Sequence, residues 1–191
     1  MSARRSTGSH FVDFRTALAA VLMLYPVGFA ASAADVPAPV NLCTSGETVV
    51  FSCSLTNGKI VSLCASPDLS RDAGYLQYRY GRNAGSIGLR YPSKLSREGA
   101  RFKYMQDYAA KGGTTALSFK IGPYRYSVFS TTSALGFNGA GLIIDQDDTR
   151  LASLRCNKKT IVTDSDRFYQ LSSLGLPDAK GDVSYVGAEK Q

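Results

Sequence analysis

The four cysteines are the residues of this 191-residue chain with the clearest chemistry. They are Cys43, Cys53, Cys64 and Cys156, and successive cysteines lie 10, 11 and 92 residues apart. No Cys-x-x-Cys pair occurs, and these spacings fit no zinc finger. In an oxidising compartment we expect two disulfides, for which three pairings exist, and we expect neither a metal site nor a cofactor. Cys156 either forms a disulfide that joins the first hairpin to the last part of the sheet or stays unpaired.

Catalytic groups are scarce in this sequence. Its 1 histidine, His10, lies in an N-terminal segment that we expect to be removed, so the mature protein has no Ser-His or Cys-His pair. Carboxylates such as Glu47 and Glu98 fall near predicted turns. Glycoside hydrolysis needs two carboxyl groups in one cleft, and the sequence does not show which two acids would form that pair. The sequence therefore favours a non-catalytic domain. The alternative is a hydrolase that acts on cell-wall glycan or polysaccharide with carboxylates and tyrosines alone.

Two polar loops resemble ligand-binding motifs without completing them. Residues 136–141 are rich in glycine, as phosphate-binding loops are, but the run that follows predicts a strand where such a loop needs a helix. The acidic residues Asp145, Asp147 and Asp148 lack the mid-loop glycine and the glutamate of a calcium loop. We therefore predict a glycine-rich bend or bulge at the first loop and a solvated hairpin turn at the second.

Tyrosine and arginine alternate at several places in the chain. Aromatic faces beside cations suit sugar polymers, single-stranded nucleic acid or a protein partner. The residues that we predict to border any binding surface are Tyr78, Arg79, Tyr80, Arg82, Tyr124 and Arg125. The alternative interpretation is that the period of two in β-strands places tyrosines half-inside and arginines outside, without any function.

Short strands joined by turns must position all of these residues. An Asn57-Gly58 pair between two apolar runs predicts a hairpin with a two-residue turn. The predicted strands are 47–55, 59–65, 75–80, 87–91, 101–108, 115–121, 124–131, 142–144, 150–156 and 160–163. One short helix is expected from Asp164 or Ser165. This pattern predicts one all-β domain, an antiparallel sandwich or closed barrel of about eight to ten short strands with at most one short helix near the C-terminus.

The segment from Cys43 to Pro92 carries the strongest local signals. In its first strand, a period of two puts Val49 and Phe51 on one face, with Cys53 and Leu55. The pattern Gly46-Glu47…Phe51-Ser-Cys53…Gly58-Lys59…Val61-Ser-Leu-Cys64-Ala-Ser66, followed by Gly74-Tyr-Leu-Gln-Tyr-Arg-Tyr-Gly81, resembles a block shared by small exported bacterial proteins of unassigned function. The resemblance implies export from a Gram-negative cell and a β fold, and it assigns no catalytic residue.

The first 33 residues have the composition of a secretory signal peptide. Arg4, Arg5 and Arg15 precede an apolar run, Ala17–Ala31, that is shorter than the ~20 residues of a spanning helix and ends in Ala31-Ser-Ala33. We predict cleavage near Ala33, a periplasmic or secreted location, and no membrane span afterwards. The predicted parts are a signal peptide at 1–33, an extended lead-in at 34–42, a disulfide-bearing β domain at 43–176 and a flexible tail at 177–191.

The function that these observations favour is binding. The protein would be an exported non-catalytic β domain with a macromolecular partner in the bacterial envelope, such as an inhibitor, an immunity protein or an envelope-associated protein. Loss of residues 1–33 lowers the formal net charge of +7 by two, so the mature protein stays moderately basic. A protein or an envelope glycan is the expected partner, and export makes nucleic acid the least favoured. A purely structural envelope protein is a further alternative.

Overall fold

The computed structural model describes residues 40–95, 101–134, 138–147, 149–163 and 165–181. The predicted signal peptide, most of the lead-in, the end of the tail, Glu98 and Asp148 lie outside the described residues. Among the helices of the described part, none is long and apolar enough to cross a membrane.

Two antiparallel sheets of five strands each form the described domain. The first sheet has the order β10-β1-β2-β3-β4 and contains β1 (Thr48–Ser54), β2 (Ile60–Ala65), β3 (Leu76–Asn83), β4 (Ser86–Tyr91) and β10 (Val162–Thr163). The second sheet has the order β5-β6-β7-β8-β9 and contains β5 (Lys103–Ala109), β6 (Gly112–Ile121), β7 (Tyr124–Ser133), β8 (Gly139–Gln146) and β9 (Thr149–Arg155). The prediction of an antiparallel all-β sandwich is confirmed.

The core fills the space between the sheets because each strand turns alternate apolar side chains inwards. Its fully buried members include Phe51, Leu63, Tyr78, Leu117, Val128 and Leu142. Burial of each such side chain stabilises the fold by about 1.5–3 kcal/mol. The core therefore fixes the register of the strands, since a slip by one residue would turn these side chains to the outside.

The first hairpin forms at the predicted Asn-Gly pair, but with a different turn. Leu55 N donates to Lys59 O at 2.7 Å, so the loop holds residues 56–58 and is longer than the predicted two residues. Gly58 has a φ of 75°, whereas Asn57 is not among the residues with positive φ. The asparagine instead uses its side chain, whose Oδ1 accepts from Lys59 N at 3.1 Å. Three-residue loops with glycine in the left-handed region are the usual alternative to two-residue turns.

A bulge in β1 corrects the predicted face of one residue. The pairing with β2 shifts between Val49 and Phe51, so that Val49 lies opposite Cys64 while Phe51 lies opposite Leu63. Val50 and Phe51 both join the core, and Val49 moves to the outer face. The alternation that predicted a shared face for Val49 and Phe51 fails there because a bulge adds one residue to the strand.

Two disulfides resolve the pairing that the sequence left open. Cys43 bonds to Cys64, and Cys53 bonds to Cys156. The second bond joins β1 of the first sheet to the residue that follows β9 of the second sheet. Around it, Thr56 N donates to Arg155 O at 2.9 Å. The two sheets are therefore joined by both a covalent bond and backbone hydrogen bonds on this side of the sandwich.

The chain after β10 forms the predicted short helix and then a segment that corrects the predicted tail. Helix α1 (Ser165–Gln170) is followed by a 3₁₀ turn at Leu171–Leu174, and Phe168 packs against Phe51 with ring centroids 5.7 Å apart. Residues 177–179 are not loose, because Tyr104 N donates to Pro177 O and Ala179 N donates to Tyr104 O, each at 2.9 Å. A flexible tail from 177 onwards is therefore wrong for these residues, since the edge of β5 binds their backbone.

Candidate binding surface

An aromatic stack joins the two sheets. Phe119 of β6 lies flat between Tyr91 of β4 and Tyr126 of β7, with ring centroids 4.2 Å and 5.2 Å away and interplanar angles of 10°. Tyr78 of β3 packs on the same ring at 4.9 Å with a tilt of 59°. Such pairs stabilise by about 0.5–1.5 kcal/mol each beyond their buried area. The stack therefore holds the tyrosines of both sheets in fixed orientations.

Three tyrosines lie where this stack meets solvent, and we call Tyr80, Tyr124 and Tyr126 the tyrosine rim. Tyr80 and Tyr126 are half-buried, and Tyr124 is 38% exposed. Burial raises the pKa of Tyr126, and the neighbouring hydroxyls of Tyr124 and Tyr80 raise it further. Tyr78 lies beneath them and packs on Tyr126 with ring centroids 6.2 Å apart, so tyrosines of β3 and β7 meet across the two sheets. Burial raises the pKa of Tyr78 well above its usual value, and the nearby Tyr80 and Tyr126 raise it further.

A cation and an amide hold the ring of Tyr80. Lys59 Nζ lies 4.8 Å from the ring centroid. Asn57 Nδ2 donates to the Tyr80 hydroxyl at 2.9 Å. A cation over an aromatic face contributes about 0.5–1 kcal/mol where it is exposed. The first hairpin, which supplies both Lys59 and Asn57, therefore positions one end of the rim.

The predicted site residue Arg79 is buried on the outer face of the first sheet and does not border solvent. Its side chain is 5% exposed, and that of Glu47 is 2% exposed. The guanidinium donates to both carboxylate oxygens of Glu47 at 2.7 and 2.6 Å, to Leu42 O at 2.8 Å and to Gln77 Oε1 at 2.7 Å. This pairing is bidentate, which is the strongest geometry for an arginine and a carboxylate.

A segment that begins at the end of the lead-in lies over the outer face of the first sheet beside this ion pair, and we call its residues 40–47 the strap. Ser52 Oγ donates to Val40 O at 2.9 Å, and Leu42 N donates to Ser62 Oγ at 3.0 Å. The Cys43–Cys64 disulfide then fastens the strap to β2. The strap thus adds a third layer over the first sheet, and it explains why the small polar residues of β1 and β2 are buried.

The remaining predicted residues lie in separate places. Tyr78 is fully buried in the core, so it supports the rim from below and is not part of an exposed surface. Arg82 is exposed near the end of β3. Arg125 lies on the outer face of the second sheet, opposite Lys120 and Asp145 in the strand pairing, while Tyr124 and Tyr126 point to the other face.

Strand alternation accounts for this separation. In β3 the tyrosines Tyr78 and Tyr80 face inwards and Arg79 faces outwards, and in β7 the same holds for the two tyrosines that flank Arg125. The predicted arginines and tyrosines therefore do not form one patch. The structure instead brings together tyrosines of β3 and β7, as the contact of Tyr78 with Tyr126 shows. These strands are far apart in the sequence, so no local sequence pattern could predict the contact.

A second exposed aromatic pair was not singled out by the sequence. Tyr108 of β5 and Tyr169 of α1 are 54% and 52% exposed, with ring centroids 6.2 Å apart. Tyr104 underlies them, since its hydroxyl donates to Tyr169 O at 3.2 Å. Burial and the nearby Tyr108 raise the pKa of Tyr104 to about 12. Only the fold could reveal this pair, because its members are 61 residues apart in the sequence.

The buried carboxylates are engaged with arginines. Burial by itself would raise the pKa of Glu47, but hydrogen bonds from Arg79, Thr44 and Tyr75 hold it below its usual value. Asp145 accepts a hydrogen bond from Arg150 Nε through one of its carboxylate oxygens. Glu47 also lies near both sulfurs of the Cys43–Cys64 disulfide. Oxidised sulfurs are not thiolate ligands, so this cluster is a covalently closed part of the strap and not a metal site.

Comparisons with known proteins returned no match. No family model matches the chain, and neither does any curated protein or solved structure.

Proposed function

We propose that the protein is an exported, non-catalytic β domain that binds a protein partner in the bacterial envelope, as an inhibitor or an immunity protein does. The observation that carries this proposal is the tyrosine rim, with Lys59 against one of its rings. Tyrosine presents a large amphipathic surface with few rotatable bonds, and it is enriched among the residues that dominate the energy of protein interfaces.

Rigidity of the rim supports a binding role. The aromatic stack orders Tyr126, and the hydrogen bond from Asn57 orders Tyr80. Two disulfides fix the strands beneath. A surface that is ordered before binding loses little conformational entropy when a partner arrives, so more of the contact energy contributes to affinity.

Export is part of the proposal, and it rests on the signal-like N-terminus together with the disulfides. Both disulfides are closed, and four oxidised cysteines in so short a chain are typical of proteins outside the cytoplasm. Neither the Cys43–Cys64 bond of the strap nor the Cys53–Cys156 bond between the sheets would persist in a reducing compartment. The periplasm or the external medium is therefore the location that suits this chemistry.

The hydrolase alternative receives less support from the described residues. A general acid needs a carboxyl group with a raised pKa, whereas the pKa of Glu47 is lowered. Asp145, the other buried carboxylate of the described residues, is bonded to Arg150 on the outer face of the second sheet. These two acids serve the packing of the sheets.

The experiment that tests the proposal is capture of a partner by the purified, oxidised protein from envelope and secreted fractions of a Gram-negative bacterium that expresses it. We expect one protein bound at a fixed stoichiometry. The Tyr124→Ala/Lys59→Gln variant should bind it at least about tenfold more weakly, as expected when residues that dominate an interface are lost. Leu151→Ala, the loss of an exposed apolar side chain of β9 outside the rim, is the matched control and should bind as the wild type does.

Three outcomes would overturn the proposal. Equal capture by the rim variant and the wild type would remove the rim from the interface. Capture of glycan alone would replace a protein partner by a carbohydrate one. Absence of any bound molecule would leave a purely structural role as the better account.

A further inference from the structure

The outer edge of β5 differs from the other long edges of the two sheets. The sheet orders place β4, β5 and β9 at edges, together with β10, which has only 2 residues. The pairing of β3 with β4 and that of β8 with β9 both contain register shifts, whereas β5 pairs with β6 through seven consecutive residues without a shift. Bulges protect an edge from pairing with another chain. In the described part of the molecule, β5 is thus the long edge that lacks this protection.

The backbone of β5 already binds an extended segment at one residue. Tyr104 donates to Pro177 O and accepts from Ala179 N, and Asp178 forms a parallel bridge with it. The segment then turns at Lys180–Gly181. Residues of an antiparallel strand alternate in the direction of their N–H and C=O groups. Gln106 and Tyr108, which follow Tyr104 at steps of two, therefore direct their backbone groups to the same edge, where no backbone group of the described residues bonds to them.

Exposed aromatic side chains lie beside this edge. Tyr108 and Tyr169 are each more than half exposed, at 54% and 52%. The Tyr108 ring lies against Gly113, where any Cβ would collide with it, and its hydroxyl is 3.2 Å from Thr115 Oγ1. The ring is therefore held in place, and a side chain that reaches the space between the two tyrosines finds an ordered apolar surface.

We propose that the edge of β5 at Gln106 and Tyr108 binds an extended polypeptide strand of another protein, in the parallel direction that Pro177–Ala179 adopts. The backbone of the incoming strand bonds to these two residues, and one of its aromatic or large apolar side chains packs on Tyr108 and Tyr169. Strand addition of this kind takes affinity from backbone bonds and specificity from pockets for alternate side chains. The surface is separate from the tyrosine rim, so the proposal goes beyond the function proposed above.

The first test uses peptides of defined sequence. Random ten-residue peptides are displayed and selected on the purified, oxidised protein, and the tightest of them is synthesised as the probe. We expect an aromatic or large apolar residue in the selected sequences. Tyr108→Ala and Tyr169→Ala should each weaken binding of the probe about tenfold, and Tyr124→Ala in the rim should leave it unchanged. Circular dichroism of each variant shows that it is folded.

The second test reads the backbone directly and does not depend on any variant of the protein. Each amide of the probe peptide is methylated in turn. Strand addition predicts loss of binding at every second position, since alternate N–H groups face β5. Loss without this period of two, failure to select any peptide, or sensitivity to Tyr124→Ala would overturn the proposal. A dimer joined through β5 in sedimentation analysis would also overturn it, because the occupant would then be a second copy of the chain. If these peptide tests fail while a partner is still captured through the tyrosine rim, only the β5 proposal is overturned and the proposed function stands.

Discussion

Replacement of Glu47 by alanine would test the account of the strap most directly. In the structure, the Glu47 carboxylate accepts from both terminal nitrogens of Arg79, from Thr44 N at 2.6 Å and from the Tyr75 hydroxyl at 2.9 Å. Alanine would remove all of these acceptors. Arg79 would still donate to the carbonyl oxygen of Leu42 and to Gln77 Oε1, but both acceptors are neutral. Its side chain is only 5% exposed, so water would not replace the lost carboxylate.

The expected cost follows from this burial. Removal of one partner from a buried ion pair costs about 3–5 kcal/mol, because the remaining charge stays desolvated without compensation. The total free energy of unfolding of such a domain is about 5–15 kcal/mol. At a urea m-value of about 2 kcal/mol/M, Glu47→Ala should therefore lower the unfolding midpoint by roughly 2 M. Replacement of both partners, as in Glu47→Ala/Arg79→Met, should cost less than Glu47→Ala alone, because no unpaired charge remains.

Urea unfolding of the oxidised protein measures these differences. The chain has 11 tyrosines and no tryptophan, so tyrosine fluorescence and circular dichroism are the appropriate signals. Asp107→Ala, the loss of an exposed carboxylate, is the control and should change stability by less than about 0.5 kcal/mol. A cost of under about 1 kcal/mol for Glu47→Ala, or a double variant that is less stable than Glu47→Ala alone, would refute the reasoning.

Three further predictions concern the same domain. Because the pKa of folded Glu47 is below its usual 4.5, its stabilising contribution is lost as the pH falls below 4.5, and Glu47→Gln should show a shallower fall of the urea midpoint there. Cys43→Ser/Cys64→Ser should lower the free energy of unfolding by about 3 kcal/mol, as the chain-entropy model gives for a separation of 21 residues; an unchanged urea midpoint would contradict this. Gly141→Ala should destabilise by about 1–3 kcal/mol, because its Cβ would collide with Leu154 O. Gly139→Ala, with open space at the Cβ, should cost clearly less, and thermal melting that ranked the two glycines in the opposite order would count against this packing.

Much of the fold could be predicted because its determinants are local. The period of two located the strands, and the Asn57-Gly58 pair located the first turn. The parts that could not be predicted depend on tertiary contacts. The bulge at Val49 has no sequence signal of its own, and the binding of Pro177–Ala179 depends on an edge strand that lies 73 residues earlier at Tyr104.

The candidate surface was predictable only in part for the same reason. Alternation within a strand correctly separates Tyr80 from Arg79, but it does not show that the strap covers the outer face and buries the arginine. The contact of Tyr78 in β3 with Tyr126 in β7 requires the packing of one sheet on the other. No pattern within a single strand contains that information.

The covalent link between Cys53 and Cys156 makes the sandwich mechanically asymmetric. On the side of β1 and β9 the sheets separate only if that bond is cleaved. On the side of β4 they meet through the stacked rings of Tyr91 and Phe119, a contact that contains no covalent bond. A partial opening that separates the two sheets is therefore expected to begin away from Cys53 and Cys156. Amide hydrogen exchange should accordingly be slower in β1, beside the disulfide, than in the edge strand β4.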